Sequence, residues 1–376
     1  MAPNAPLLFD DMLTRGVDPA PATPSNVAKR VGFNMGDVDN AFTKADHVIE
    51  RHYKTQPIHQ GYIEAQACLA NWTDGKAEVW TCTQGHFAVR NLTAKLVGLP
   101  IGQVKVTASE IGGGFGGKTV VYLEPLAVVL SRKSGAPVRM RMSREDVFRA
   151  TGPTSGSSMS VKIGINNDGT IVAGEATLKY QAGAFPGSPV LNGCMCSFAM
   201  YNIEHQRTIG YDVVSNRPKA AAYRAPGAPI SAFAVESTLD VAAKTIGMDP
   251  LELRAQNAAT PGTQMIYGPK LSHGGYIETV QAIKDHPAYQ VQLGKNQGRG
   301  VASGYWFNGA GDSGATLAVN ADGSVTIATG SPDIGGSRAS MAMMAAETLG
   351  IDYALIKSNV VDTEAVPYCH VTGGSR

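Results

Sequence analysis

Eight consecutive residues constrain this chain more than any others: Gly112-Gly113-Gly114-Phe115-Gly116-Gly117-Lys118-Thr119. A strand pattern over 104–109 precedes them, and an apolar helical pattern over 122–134 follows. Five glycines in six positions cannot form a regular element, because none has a side chain to pack. Such a run is a turn whose backbone passes close to something. Read literally, it also fits the nucleotide loop G-x-x-x-x-G-K-[ST]. There, backbone N–H groups wrap phosphates, Lys118 reaches the terminal phosphates and Thr119 holds magnesium. The setting argues against that alternative. A long hairpin-rich stretch comes first, no apolar strand ending in Asp offers a second magnesium contact, and Phe115 stands where a small residue fits better. The favoured reading is a loop drawn close to a large anionic or planar ligand, with Phe115 as a wall; a purely structural turn is the plainer one.

Glycine is abundant throughout, 43 of 376 residues, against a usual ~7%. No collagen period accounts for it, so tight turns and close backbone approaches are expected. With 43% apolar and 17% charged residues the chain can build a large core. A net charge of +1 leaves no electrostatic footprint for nucleic acid. No apolar run reaches the roughly 18 residues of a membrane span; the best stretch, 120–130, carries Glu124 and Pro125. The N-terminus lacks the pattern of a secretory signal. Five scattered cysteines fit a reducing, cytoplasmic setting better than a disulfide framework.

Periodicity predicts mixed elements. Residues 1–36 read as an extended lead-in. Helices are expected over 37–46, 86–96, 122–134, 232–246, 276–285 and 337–349, with starts marked by Ser143/Asp146 and Asp249-Pro250. Strands are expected over 48–55, 68–72, 77–83, 104–109, 138–142, 159–165, 171–180, 315–319, 325–329 and 356–362. Hairpins turn at Asp74-Gly75, Asn167-Asp168-Gly169 and Ala321-Asp322-Gly323. Segments 67–84 and 315–331 echo each other, each reading strand, Asp-Gly turn, strand, then a turn into a helix. The echo is either a coincidence of common hairpins or two related lobes offering matching turns to one ligand. The pattern as a whole is α+β: mixed sheets and hairpins with packed helices.

Three further motifs carry chemistry. In Ala221-Ala222-Tyr223-Arg224-Ala225-Pro226-Gly227, a single Arg sits in a rigid turn. It is either bound to loop carbonyls or aimed at an oxygen-rich ligand. Gln84 ends a strand, where its amide can offer both a donor and an acceptor. Asp333-Ile334-Gly335-Gly336-Ser337 opens a helix, either as an anion-accepting N-terminus or as an ordinary cap by Ser337. The histidines and cysteines show no metal-ligand spacing. Cys194 and Cys196 read as packed residues, and His59 and Glu64 as structural hydrogen-bonding residues.

In this order and spacing, Thr83-Gln84, 112–118, Tyr223-Arg224 and 333–337 resemble the molybdenum-binding large subunit of the xanthine dehydrogenase/aldehyde oxidase family, from about residue 31 to 376. The resemblance implies a molybdopterin cofactor, plain or as the cytosine dinucleotide, whose own sulfurs hold molybdenum, so that no side chain ligates the metal. It implies two molybdopterin-binding lobes, over 37–270 and 271–376, the second incomplete. Cofactor contacts fall by resemblance on Gln84, Gly113, Gly114, Phe115, Gly116, Arg224, Ala225, Gly336 and Ser337. The implied activity is water-derived hydroxylation of a small molecule: an aldehyde, N-heterocycle or aromatic substrate.

The departures are informative. Many members carry Gly-Gln-Gly where this chain has Gly335-Gly336-Ser337. Thr119 replaces the Glu of xanthine-type enzymes, and no Arg stands near Asn192, which disfavours purines. Ala225 follows the Arg where carbon monoxide dehydrogenases place a copper-binding Cys nearby. The family's general-base Glu is expected beyond Arg376, so no catalytic residue is assigned within the chain, and a further chain is one way to supply it. Iron–sulfur and flavin groups are expected on partner subunits. The remaining alternatives are the nucleotide loop and an inactive scaffold remnant of the family.

Overall fold

A computed structural model of the chain describes residues 4–309, 311–360 and 362–373. Its strands are β1 (Val27–Met35), β2 (His47–Thr55), β3 (Ala67–Thr73), β4 (Lys76–Thr81), β5 (Val104–Ala108), β6 (Val138–Arg141), β7 (Ser157–Ile165), β8 (Ile171–Gly183), β9 (His205–Val214), β10 (Ala315–Val319), β11 (Val325–Thr329) and β12 (Ile356–Asn359). Its α-helices are α1 (Val38–Lys44), α2 (His86–Val97), α3 (Glu124–Ser134), α4 (Arg144–Ala150), α5 (Val190–Cys196), α6 (Ala228–Ile246), α7 (Pro250–Gln256), α8 (Tyr276–Asp285), α9 (Pro287–Gln290) and α10 (Ser337–Leu349). The class is α+β, as the periodicity predicts. Two compact units interleave along the chain: Met1–Ile58 with Thr154–Ala220 and Ala225–Phe307, and His59–Pro153 with Ala221–Arg224 and Asn308–Arg376.

The first unit is a five-stranded sheet in the order β1-β9-β8-β7-β2. Helix α6 lies against it. Pro229 is in its first turn, and Gly247, at φ 71, ends it in the left-handed conformation that glycine tolerates. Met159, Val161 and Ile163 alternate along β7 toward the core that also holds Ala234, Val235 and Leu239 of α6. Burying each larger side chain contributes about 1.5–3 kcal/mol. Two strands of this sheet escape the sequence reading. β1 lies inside the expected lead-in of residues 1–36 and pairs along β9. In β9 the inward positions are Gln206, Thr208, Gly210 and Asp212, while Ile209 and Tyr211 are half-exposed. The apolar alternation therefore marks the wrong face. Asp212 is satisfied by the Gly187 and Ser188 N–H groups at 2.7 and 2.8 Å.

The second unit contains two sheets, β5-β4-β3-β6 and β10-β11-β12. The echo between 67–84 and 315–331 is topological. In each case an antiparallel hairpin (β3-β4, β10-β11) is followed by a helix (α2, α10). That helix leads to a strand parallel to the hairpin's second member (β5, β12). Ala70, Val79, Val106, Ala127 and Val128 fill the core between the larger sheet and its helices. Helix α3 starts at Glu124, not at 122. The Glu124 carboxylate turns back to accept the Tyr122 and Leu123 N–H groups, which holds those residues outside the helix. At α4 the expected cap is present, with Ser143 and Asp146 exchanging side-chain and backbone bonds. Among the described residues, no helix is long and apolar enough to cross a membrane.

His86, the first residue of α2, is fully buried, and neither ring nitrogen has a hydrogen-bond partner among the described residues. Burial, reinforced by Arg90, lowers its pKa from 6.5 to about 4. The unfolded chain therefore takes up a proton below pH 6.5 that the folded chain refuses. Stability falls as pH drops from 6.5 toward 4 and levels off below that. Between pH 7 and 5 the loss is about 2 kcal/mol. Denaturant midpoints at the two pH values check this, and His86→Leu is expected to flatten the difference.

Candidate functional site

The glycine loop lies in the second unit, between β5 and α3. Its backbone is left-handed at Gly113 (φ 88), Phe115 (φ 52) and Gly116 (φ 104). Most of its glycines press against the chain itself. A Cβ at Gly112 would stand 2.7 Å from Glu64 Cβ, one at Gly114 2.5 Å from Gln84 Oε1, one at Gly116 2.5 Å from the Ala222 carbonyl oxygen, and one at Gly117 2.6 Å from the Tyr62 ring. The expected close approach is thus largely to protein. Gly335 and Gly336 differ: at φ 69 and 100, neither has any atom within 4 Å of where a Cβ would point.

Gln84 anchors the loop. Its N–H donates to the Lys118 carbonyl at 2.9 Å. Its Oε1 accepts from the Gly116 and Lys118 N–H groups at 2.9 and 3.2 Å. Its Nε2 donates to the Thr372 carbonyl at 2.9 Å. The residue is 4% exposed, and both ends of its amide are engaged in holding backbone.

Lys118 turns inward. Its Nζ is 2.7 Å from Glu64 Oε2 and lies 5.0 Å from the centre of the Tyr62 ring, and its side chain is 1% exposed. A nucleotide-loop lysine must reach out to phosphates; this ammonium is already paired, so the geometry does not support that alternative. Glu64 also accepts the Gly112 N–H at 2.9 Å. His59 meets the Thr151 hydroxyl at 2.7 Å, and burial, with the nearby Arg144, lowers its pKa.

The Tyr-Arg turn sits beside the loop. The Arg224 N–H donates to the Phe115 carbonyl at 2.9 Å. Gln60 Nε2 donates to the Ala222 carbonyl at 2.8 Å. The Arg224 side chain is exposed, and its guanidinium has no hydrogen bond or ion pair among the described residues. Gln60 Oε1 is buried without a partner among the described residues. Sequence reading passed over Gln60, because a Gln beside a His carries no pattern of its own. Ala225 belongs to the first unit, where it holds a left-handed φ of 56.

Segment 333–337 joins the same loop through Ile111. Ile111 bridges Ile334, and its N–H donates to the Asp333 carbonyl at 3.2 Å. Ser337 does not cap α10: Gly336 is the N-cap, without a side-chain bond. The Ser337 hydroxyl instead bonds Pro332 and Asp333 within the turn. Arg338 pairs with Asp333 at 2.8 Å and also with Glu110. Gln84, Gly113, Gly114, Phe115, Gly116, Arg224, Gly336 and Ser337 thus fall in one unit; Gly374, Ser375 and Arg376 lie outside the described residues.

What surrounds the loop fits an anionic, nitrogen-bearing organic group. Arg224 offers an uncommitted fork of donors, Gln60 a buried acceptor, Gly335 and Gly336 open backbone, and the half-exposed Phe115 an apolar face. Among the described residues, no three His, Cys, Asp or Glu side chains stand where they could hold a metal ion.

The molybdopterin cofactor-binding domain family matches residues 20–258, and a second molybdopterin cofactor-binding domain family matches residues 276–376. The xanthine dehydrogenase molybdenum-binding subunit of Escherichia coli O157:H7 is 30% identical over 91% of this chain and 48% of its own length. The aldehyde oxidoreductase of Megalodesulfovibrio gigas is 30% identical over 95% of this chain and 41% of its own length. The chain thus spans about half, or less, of the length of these relatives. Among solved structures, the aldehyde oxidoreductase from Desulfovibrio gigas superimposes with a TM-score of 0.84 at 29% identity, covering 96% of this chain and 42% of that one. With both stretches matched and the fold shared, the chain belongs to the molybdopterin cofactor-binding domains of the molybdenum hydroxylase large subunits.

Proposed function

We propose that this chain is the molybdopterin-holding part of a molybdenum hydroxylase. The observation that carries the reading is the Gln84-anchored glycine loop with the exposed Arg224, unpaired among the described residues, beside it, in a chain that the family spans nearly end to end. When bound, the cofactor supplies the redox-active metal that accepts two electrons while water-derived oxygen enters the substrate.

The chain's own residues would bind and orient it. Arg224 gives paired N–H donors to an oxygen-rich anion. Phe115 offers an apolar wall. Gly113, Gly114 and Gly116 present loop backbone, Ala225 lies next in sequence to Arg224, and Gly336 and Ser337 contribute the second turn. Gln84 keeps the loop in shape, acting on the cofactor through backbone. The break between the two family matches supports a division into domains over 37–270 and 271–376.

Relatives named for aldehyde and xanthine oxidation support a small organic substrate. Thr119 and Asn192 favour an aldehyde, N-heterocycle or aromatic compound over a purine. The general base, iron–sulfur centres and flavin are assigned to further chain or to partner subunits. Cys68, Cys82, Cys194 and Cys196 are buried free thiols, which supports a reducing, cytoplasmic setting.

Plasma mass spectrometry of the native complex purified through this chain tests the reading. Near-stoichiometric molybdenum, with iron in excess of it, is expected. No molybdenum, from cells able to make the cofactor, would leave an empty scaffold of the family. Arg224→Ala is expected to lower molybdenum and pterin content several-fold while moving the unfolding free energy by no more than about 0.5 kcal/mol, since the side chain has no partner among the described residues to lose. Parallel metal analysis and thermal melts check this.

A further inference from the structure

The loop 112–118 is closed across its base by charge. At its start, Gly112 and Glu64 exchange bonds: the Glu64 N–H donates to the Gly112 carbonyl at 3.1 Å, and Glu64 Oε2 accepts the Gly112 N–H at 2.9 Å. At its end, Lys118 exchanges bonds with Gln84 and sends its side chain back to the same Glu64 oxygen at 2.7 Å. The carboxylate thus holds the first residue of the loop by its backbone and the last by its ammonium. Three left-handed residues lie between these fixed ends, a conformation that relaxes unless its surroundings over-determine it.

We propose that Glu64 and Lys118 are positioning residues that set the glycine loop in its ligand-ready shape before any cofactor arrives. The inference rests on the reading above that this loop faces molybdopterin. Both would act on the ligand through the loop backbone, the Lys118 side chain being 1% exposed. A preset loop binds without first ordering a flexible one, whereas without the clamp the same glycines would be free to wander. The ion pair also explains why this lysine is buried: removing its partner would leave an uncompensated charge beside the Tyr62 ring.

Hydrogen–deuterium exchange, resolved to single amides, provides the test on the complex purified from cells unable to make molybdopterin. In this cofactor-free protein the Gly112, Gly116 and Lys118 amides are expected to exchange at least 100-fold more slowly than those of an open loop. Lys118→Met is expected to erase that protection and leave β4 and β5 unchanged. Purified from cofactor-making cells, Lys118→Met is expected to carry at least fivefold less molybdenum. Glu64→Gln keeps an acceptor for the Gly112 N–H but leaves the buried Lys118 ammonium without its counter-charge, and is expected to lose protection at Lys118 and molybdenum in the same direction as Lys118→Met.

Free exchange of the loop in the cofactor-free wild type, with protection appearing only in the loaded complex, would overturn the proposal, because ligand would then shape the loop. Wild-type protection and molybdenum content in Lys118→Met would overturn it equally. Should Lys118→Met fail to fold, shown by exchange throughout β4, the wild-type comparison decides alone. A wild type with no molybdenum even in competent cells would remove the cofactor reading, while the exchange arms would still decide the clamp.

Discussion

One amide oxygen holds the site together. Gln84 Oε1 accepts two loop N–H groups, and the other end of the same amide holds the Thr372 carbonyl. Each such bond contributes about 1 kcal/mol net, and an N–H left buried without a partner costs about 1–3 kcal/mol. The strain it opposes is of similar size: Phe115, a bulky residue at φ 52, costs about 1–3 kcal/mol in that conformation. The balance is close, so the loop needs every tie. The contact between Gly114 and Gln84 follows from this, since a Cβ at Gly114 would push the amide away from the N–H groups it serves.

The ties converge because the second unit uses the same arrangement twice. In each hairpin–helix–strand repeat, the chain leaves the end of a central strand and enters a helix through a turn. Gln84 stands in the turn between β4 and α2, and Asp333 to Gly336 stand in the turn between β11 and α10. Parallel pairing of β4 with β5 and of β11 with β12 places each crossover helix over its own sheet. The Ile111–Ile334 bridge then sets the glycine loop, which follows β5, against the second turn. The positioning comes from topology, and the side chains refine it.

Much of this was legible from pattern. The hairpins carry Asp-Gly turns, the helices a 3.6-residue period with caps, and the loop its own glycines. The parts that were not legible share a physical cause. β9 hides because Gln206, Thr208 and Asp212 point inward, each satisfied or buried by tertiary partners that no local window contains. β1 hides because its pairing partner is far away in the chain. The glycine run reads as a close approach to a ligand, whereas most of its glycines press on protein. Glu64, Gln84 and Ala222 come from three separate stretches, and only folding brings them to the loop. The direction of Lys118 was equally hidden, because the same letters serve an outward lysine in a nucleotide loop and an inward one here.

That direction decides the electrostatics of the site. An unpaired ammonium under the loop would cost several kcal/mol to bury and would draw phosphate to the loop itself. Paired with Glu64, it contributes almost no net field. Under the proposed function, the loop's pull on a ligand would come from oriented backbone, which is short-ranged and depends on shape. Long-range attraction would fall to Arg224, which is exposed and carries a planar fork suited to two-point recognition of an oxyanion. On the proposed reading recognition is divided: an exposed cation attracts an anionic ligand, and a neutral, tied-down loop accepts the one whose outline it matches.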